Sequence, residues 1–124
     1  MIEWLKAEGR RFGWTCLWSW RGWAGAWATE KTLRQWTLAN AISAGCALYL
    51  PLSPAERALI LALGLLLLAA ELMNTAVESV VNLVSPEQHP LAAKAKDCGS
   101  AAVALTAIAA GVAWAVVLWR LWQG

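Results

Sequence analysis

The sequence predicts an all-α integral membrane protein, with three transmembrane helices preceded by an N-terminal amphipathic surface helix. Three observations carry that reading. Of 124 residues, 60% are hydrophobic and only 15% are charged, against about 45–50% and about 25% in an average soluble domain. The scarce charges leave three long apolar runs. The basic residues gather on alternate sides of those runs. The length allows a single domain, residues 1–124. A formal charge of +2 gives no electrostatic footprint for nucleic acid. The cysteines, Cys16, Cys46 and Cys98, are odd in number, far apart and without CxxC spacing. Neither a disulfide framework nor a zinc site is indicated.

The first element is an interfacial helix over residues 1–35. It carries Lys6, Arg10, Arg11, Arg21, Lys31 and Arg34, and most of the ten tryptophans. Charges and glycines interrupt every apolar core that a signal peptide would need, so none is expected. Trp14, Leu17 and Trp18 share one helical face, and Trp20, Trp23 and Trp27 share another nearly opposite. A surface helix ordinarily has one apolar face. Either Gly22 and Gly25 break this helix, or its second face packs on the protein. Tryptophan at an interface reads first as an anchor.

The membrane helices are placed at 36–55, 57–84 and 90–122. A span needs about 20 mostly apolar residues to cross roughly 30 Å of hydrocarbon. Pro51 and Pro54 mark the turn after the first, and SPEQHP at 85–90 breaks the second from the third. Pro90 suits the first helical position after His89. A soluble bundle would need polar stripes at helical spacing, and residues 101–119 offer only Thr106 and Gly111. Six basic residues precede the first span, and Lys94 and Lys96 lie between the second and third. Only Arg57 and Arg120 fall on the other side. That bias places the N-terminus in the cytoplasm and the C-terminus in the periplasm, in a bacterial inner membrane.

Within the second span, Glu71, Asn74 and Glu78 fall within an arc of about 60° at 100° per residue, and Asn82 continues the stripe. A charge at depth costs about 2.5–3.5 kcal/mol on insertion scales. Intramembrane carboxylates therefore read as functional in the first instance, with an interhelical polar seam as the plainer account. The third helix brings Lys96, Asp97 and Ser100 to the level of Glu78, while Glu30 and Arg34 end the surface segment. Each lysine alone satisfies the positive-inside rule. Together the rim gathers acids for a divalent cation and bases for phosphate, the needs of phosphoryl transfer. No GxxxxGK[ST] loop, Gly-rich kinase loop, HRD or DFG occurs, which excludes the two large soluble kinase classes.

At these residues the chain resembles the prokaryotic integral-membrane diacylglycerol kinase family. The resemblance rests on ELMNTAVESVVNLVSPEQHPLAAKAKDCGSAAV, from Glu71 to Val103, and more weakly on SWRGWAGAWATEKTLRQW, from Ser19 to Trp36. It implies a homotrimer with active sites shared between subunits, moving the γ-phosphate of ATP, with Mg²⁺, to the hydroxyl of diacylglycerol. By position it implies Glu71 as general base on the lipid hydroxyl, and Glu30 and Glu78 as metal carboxylates. Ser19, Glu30, Glu78, Lys96 and Asp97 would hold ATP. Arg34, Gln35, Asn74 and Ser100 would complete the substrate-binding shell. Small residues on the third helix (Gly99, Ala101, Ala102, Gly111, Ala113) permit the close helix approach that a trimer needs. Thr29, Leu33, Trp18, Trp36 and Asn82 depart from residues frequent in the family.

Three rival functions accompany this reading, one of them a non-enzymatic membrane scaffold, which would bind no ATP and leaves Glu71 and Glu78 unexplained. An undecaprenol kinase has the same fold and chemistry with a polyprenol acceptor. A small multidrug transporter is similarly short and uses a membrane glutamate, but it has four spans and no rim like Lys94–Asp97.

Overall fold

The computed structural model describes residues 1–124 and consists of four helices: α1 (Ile2–Thr29), α2 (Lys31–Tyr49), α3 (Pro54–Val84) and α4 (Pro90–Gln123). Helix α1 is continuous through Gly22 and Gly25, so those glycines do not break it. Of its second face only Trp23 packs on the protein, half-buried beside the buried Ala26 against α3, while Trp20 and Trp27 stay exposed.

The break falls instead at Glu30, which leaves helical geometry at φ −95°, ψ 109°. No glycine or proline stands there. Tertiary and capping bonds hold the kink. The Glu30 N–H donates to the Ala26 carbonyl at 2.7 Å. Arg34 Nη1 donates to the Trp27 carbonyl at 2.6 Å, satisfying a terminal carbonyl of α1 with a positive charge where the helix dipole favours one. Helix α2 therefore starts five residues before the expected 36 and ends at Tyr49, ahead of the expected 55.

The start of α3 follows from its sequence. Ser53 accepts from the Glu56 N–H at 3.2 Å while its own N–H donates to Glu56 Oε2 at 2.8 Å, a capping box with Pro54 at the first helical position. The start of α4 matches the expectation for Pro90, and His89 Nδ1 accepts from the Leu91 N–H at 3.2 Å.

Helix α3 is central, with α2 antiparallel on one flank, α4 antiparallel on another and α1 laid across its far end. The end distant from the acids is pinned most firmly. Ala47, Leu52, Ile60, Ala113 and Val117 form its apolar cluster. Trp114 Nε1 donates to Ser43 Oγ at 2.8 Å. Arg57 Nε donates to the Ala47 carbonyl at 2.9 Å. Arg120 bonds both oxygens of Glu56, at 2.6 and 2.9 Å, and the Pro51 carbonyl at 3.3 Å.

Helices α3 and α4 are long and apolar enough to cross a membrane. At 1.5 Å per residue they extend about 46 and 51 Å, beyond the roughly 30 Å of a hydrocarbon core. Both therefore project past it, and the projecting ends carry the charged residues. Only 10 of 124 residues are buried. The long apolar side chains of α3 and α4, among them Leu65, Leu66, Leu105, Ile108 and Val116, face outward. That arrangement suits lipid and is untenable for these helices in water.

Candidate functional site

The functional residues are built on α3 and received by its neighbours. Glu71 is the one ionisable residue buried by its own chain, at 4% exposure. No lysine, arginine or histidine lies within ion-pair distance of it. One turn further, Asn74 Nδ2 donates to Glu78 Oε1 at 3.0 Å. A carboxylate is acceptor-only, so the amide must turn its nitrogen to Glu78. Its Oδ1 is thereby directed into the α3–α4 seam, where it is buried without a hydrogen-bond partner. It lies over Gly99, where even a methyl group would collide with it. Asn74 against Gly99 and Glu56 against Arg120 fix the antiparallel register of the two helices. That register brings Glu78 level with Ala95 and Lys96, as the sequence implied.

A second polar face of α3 looks toward α1. Thr75 and Ser79, each bonded to the carbonyl four residues back, join Leu72 and Ala76 as one wall of a groove of about 540 Å³. Ser19, Gly22, Trp23, Gly25, Ala26, Thr29 and Glu30 form the other. The small residues of α1 lie on this inner face, and a side chain at Gly22 or Gly25 would meet open space rather than α3. Glu30 accepts from Thr29 Oγ1 at 2.8 Å. Helical geometry sets this face about a third of a turn from the Glu71–Asn74–Glu78 face.

The structure thus brings Glu71, Asn74 and Glu78 onto one face and sets Lys96 level with Glu78. It also brings Ser19 and Glu30 together at the groove. Glu30 and Glu78 have different hydrogen-bond partners, Thr29 and Asn74, and no group of three metal-ligating His, Cys, Asp or Glu side chains forms within one chain. Arg34 is engaged with the end of α1. Gln35, Asp97 and Ser100 are exposed. Lys96 lines a second cavity of about 570 Å³ under the α3–α4 loop, with Asn82, Ser85, Glu87 and His89. Of these, Glu87 and His89 were not expected at the site. The SPEQHP segment read only as a helix break, since polar loop residues give no periodic signal.

A buried Glu71 and a half-buried Glu78 on one helix, with a basic-acidic rim on the next, suit the needs of a membrane-embedded phosphotransferase. Comparison with known proteins makes the class specific. The family model for prokaryotic diacylglycerol kinase matches residues 17–118. The diacylglycerol kinase of Pseudomonas aeruginosa is 46% identical over 99 residues, covering 78% of this chain and 79% of its own. That of Escherichia coli K12 is 36% identical over 101 residues, covering 82% and 83%. The undecaprenol kinase of Bacillus subtilis is 34% identical over 87 residues, covering 68% and 71%. The chain belongs to the prokaryotic diacylglycerol kinase family, a family of membrane lipid kinases. That membership replaces the transporter alternative.

Proposed function

We propose that this chain phosphorylates diacylglycerol to phosphatidic acid with ATP at the cytoplasmic face of the bacterial inner membrane. The observation that carries the reading is Glu71. It is a carboxylate buried in an apolar helix, without a cation to pair with, on the same face as a hydrogen-bonded Asn74–Glu78 pair. A structural seam would pair or neutralise such a group; a general base has to be left free to accept a proton.

Glu71 Oε takes the proton of the lipid's primary hydroxyl as that oxygen attacks the γ-phosphate. Lys96 offsets charge on the phosphates from the rim, with Asp97 beside it. Asn74 holds Glu78 in one orientation. Glu30 and Glu78 are hard oxygen donors of the kind that suit Mg²⁺, which is commonly held by one or two carboxylates with phosphate oxygens completing its shell. When bound there, the metal would neutralise charge on the phosphates and orient them. No group of three metal-ligating side chains forms within the single chain, which favours a site completed by a neighbouring subunit of a homotrimer. Ser19, Arg34, Gln35 and Ser100 would then contact substrates contributed across that boundary.

The same reading makes α2 the third span. Its 19 residues extend about 28 Å. Of its polar side chains, Asn40 and Ser43 turn inward, one against Gly64 and the other to Trp114, while Leu38, Ile42 and Leu48 face out. The basic residues then lie mainly on the N-terminal side, which is cytoplasmic by the positive-inside rule, with the C-terminus periplasmic. The relative named undecaprenol kinase supports a second acceptor, a polyprenol.

Turnover of the purified protein in mixed micelles tests both. ADP release is expected with MgATP and diacylglycerol, lost on adding EDTA and weaker with undecaprenol. Faster turnover with undecaprenol would transfer the assignment to that lipid. No lipid-dependent ADP release with either would reject the kinase reading.

A further inference from the structure

Two helix contacts in this protein are built the same way. At each, an asparagine carbonyl oxygen occupies the space that a glycine leaves by having no side chain. A Cβ added to Gly64 of α3 would stand 3.3 Å from Asn40 Cγ and closer still to its Oδ1; one added to Gly99 of α4 would meet Asn74 in the same manner. The two notches differ in where the amide nitrogen goes. Asn40 Nδ2 donates to the Trp36 carbonyl on its own helix, at 2.9 Å. Asn74 Nδ2 donates to Glu78 Oε1, at 3.0 Å.

We infer that Gly99 is a positioning residue for Glu78, acting through Asn74. The chain of contact has three links. Gly99 leaves a gap opposite Asn74. The gap seats Asn74 Oδ1, which is buried and has no hydrogen-bond partner of its own, so the seat and the Nδ2 bond to Glu78 together fix the direction of the planar amide. With the oxygen seated against α4, the nitrogen on the other side of the planar amide points along α3 to Glu78. One oxygen of Glu78 is thereby held, and the other stays free. A methyl group at 99 would also lie 3.7 Å from Asn74 Cα, an ordinary contact that leaves the helices in place. The far end of the asparagine is what must move. Turning it away empties the notch and breaks the bond to Glu78. The fold tolerates the change and the carboxylate loses its support. This assignment rests on the reading of Glu78 as a metal carboxylate.

The test compares Gly99→Ala with Gly64→Ala, which meets the same steric conflict away from the carboxylates. Hydrogen bonds to charged groups are worth enough that loss of one shifts an affinity by about tenfold. Gly99→Ala should raise KM for MgATP by about that factor and leave KM for the lipid within about twofold. Gly64→Ala should leave both unchanged. Turnover is not the only readout. The chain has three asparagines, so ¹⁵N-asparagine labelling gives three side-chain amide pairs, and loss of one in Asn74→Ser assigns Asn74. That pair should move in Gly99→Ala and stay in place in Gly64→Ala.

The double variant Gly99→Ala/Asn74→Ser removes the obstruction. It should fold even if Gly99→Ala does not, with the MgATP KM of Asn74→Ser alone. A Gly99→Ala protein with an unmoved Asn74 amide and a wild-type MgATP KM would overturn the inference. So would equal losses in both KM values, or a double variant impaired beyond Asn74→Ser. If wild-type protein turns over no lipid, the kinase reading fails, and the amide shift alone then decides whether Gly99 seats Asn74.

Discussion

Glu71 and Glu78 are two glutamates on one helical face with different surroundings. Glu71 is buried with no cation near it, while Glu78 is half-buried and accepts from Asn74. A free carboxylate is available to accept a proton, and a hydrogen-bonded one is oriented for a ligand. Glu71→Gln keeps size and polarity and would remove the proposed base. It should lower kcat by about 10²–10⁴-fold and leave assembly intact, as read by steady-state assay beside size-exclusion chromatography in detergent. Full turnover in a folded, assembled Glu71→Gln protein would remove Glu71 from the mechanism. Both acids were legible from sequence because polar residues at helical spacing stand out in an apolar run. Gly99 was legible only as a small residue, since its role depends on which side chain faces it across the seam.

At the scale of elements, the end of the bundle away from the acids is clamped by side chains that sequence spacing could not pair. Arg120 lies 64 positions from Glu56 and bonds both of its oxygens. Glu56 sits in the capping turn ahead of the apolar run of α3, and its carboxyl is lowered from 4.5 to about 2. The Arg120 guanidinium is the main cause, followed by the bonds with Ser53. A depressed folded-state value contributes stability that is present above the unfolded value of about 4.5. It is lost as pH falls through that value toward 2. Thermal unfolding in detergent should therefore show a fall in Tm across that window, and Glu56→Gln should flatten it. An identical acid limb in the variant would mean that the clamp contributes nothing there. The kink between α1 and α2 belongs to the same scale. It was expected near residue 35, with Gly22 and Gly25 as candidate breaks, because glycine is the usual local signal. It falls at Glu30, where Arg34 reaches back to the carbonyls of Trp27 and Ala28.

For the whole molecule, the single chain leaves most of its surface exposed. It buries only ten residues, and no group of three metal-ligating side chains forms within it. In the proposed trimer, a second copy would cover part of the exposed apolar surface and supply a further carboxylate. Mixed assemblies test this directly. Glu30→Gln and Glu78→Gln proteins, each inactive alone, are unfolded, mixed and reconstituted together. Some sites in the mixture would then draw both wild-type carboxylates from different subunits, and a measurable fraction of wild-type activity should return. No recovery, from mixed assemblies shown to form, would place the whole site within one chain.

The sequence by itself determined the class of the molecule. Apolar runs, the turn at Pro51 and Pro54, the helix start at Pro90, the acidic stripe of α3 and the basic rim are all local or periodic properties, which a linear chain displays without being folded. Only the tertiary structure decided what each polar residue faces. It set Asn74 against Gly99, Arg120 on Glu56, Trp114 on Ser43, and the small face of α1 on α3. Those pairings depend on the register and rotation of neighbouring helices. These are set by close packing between segments distant in sequence, and a helical period carries no information about them.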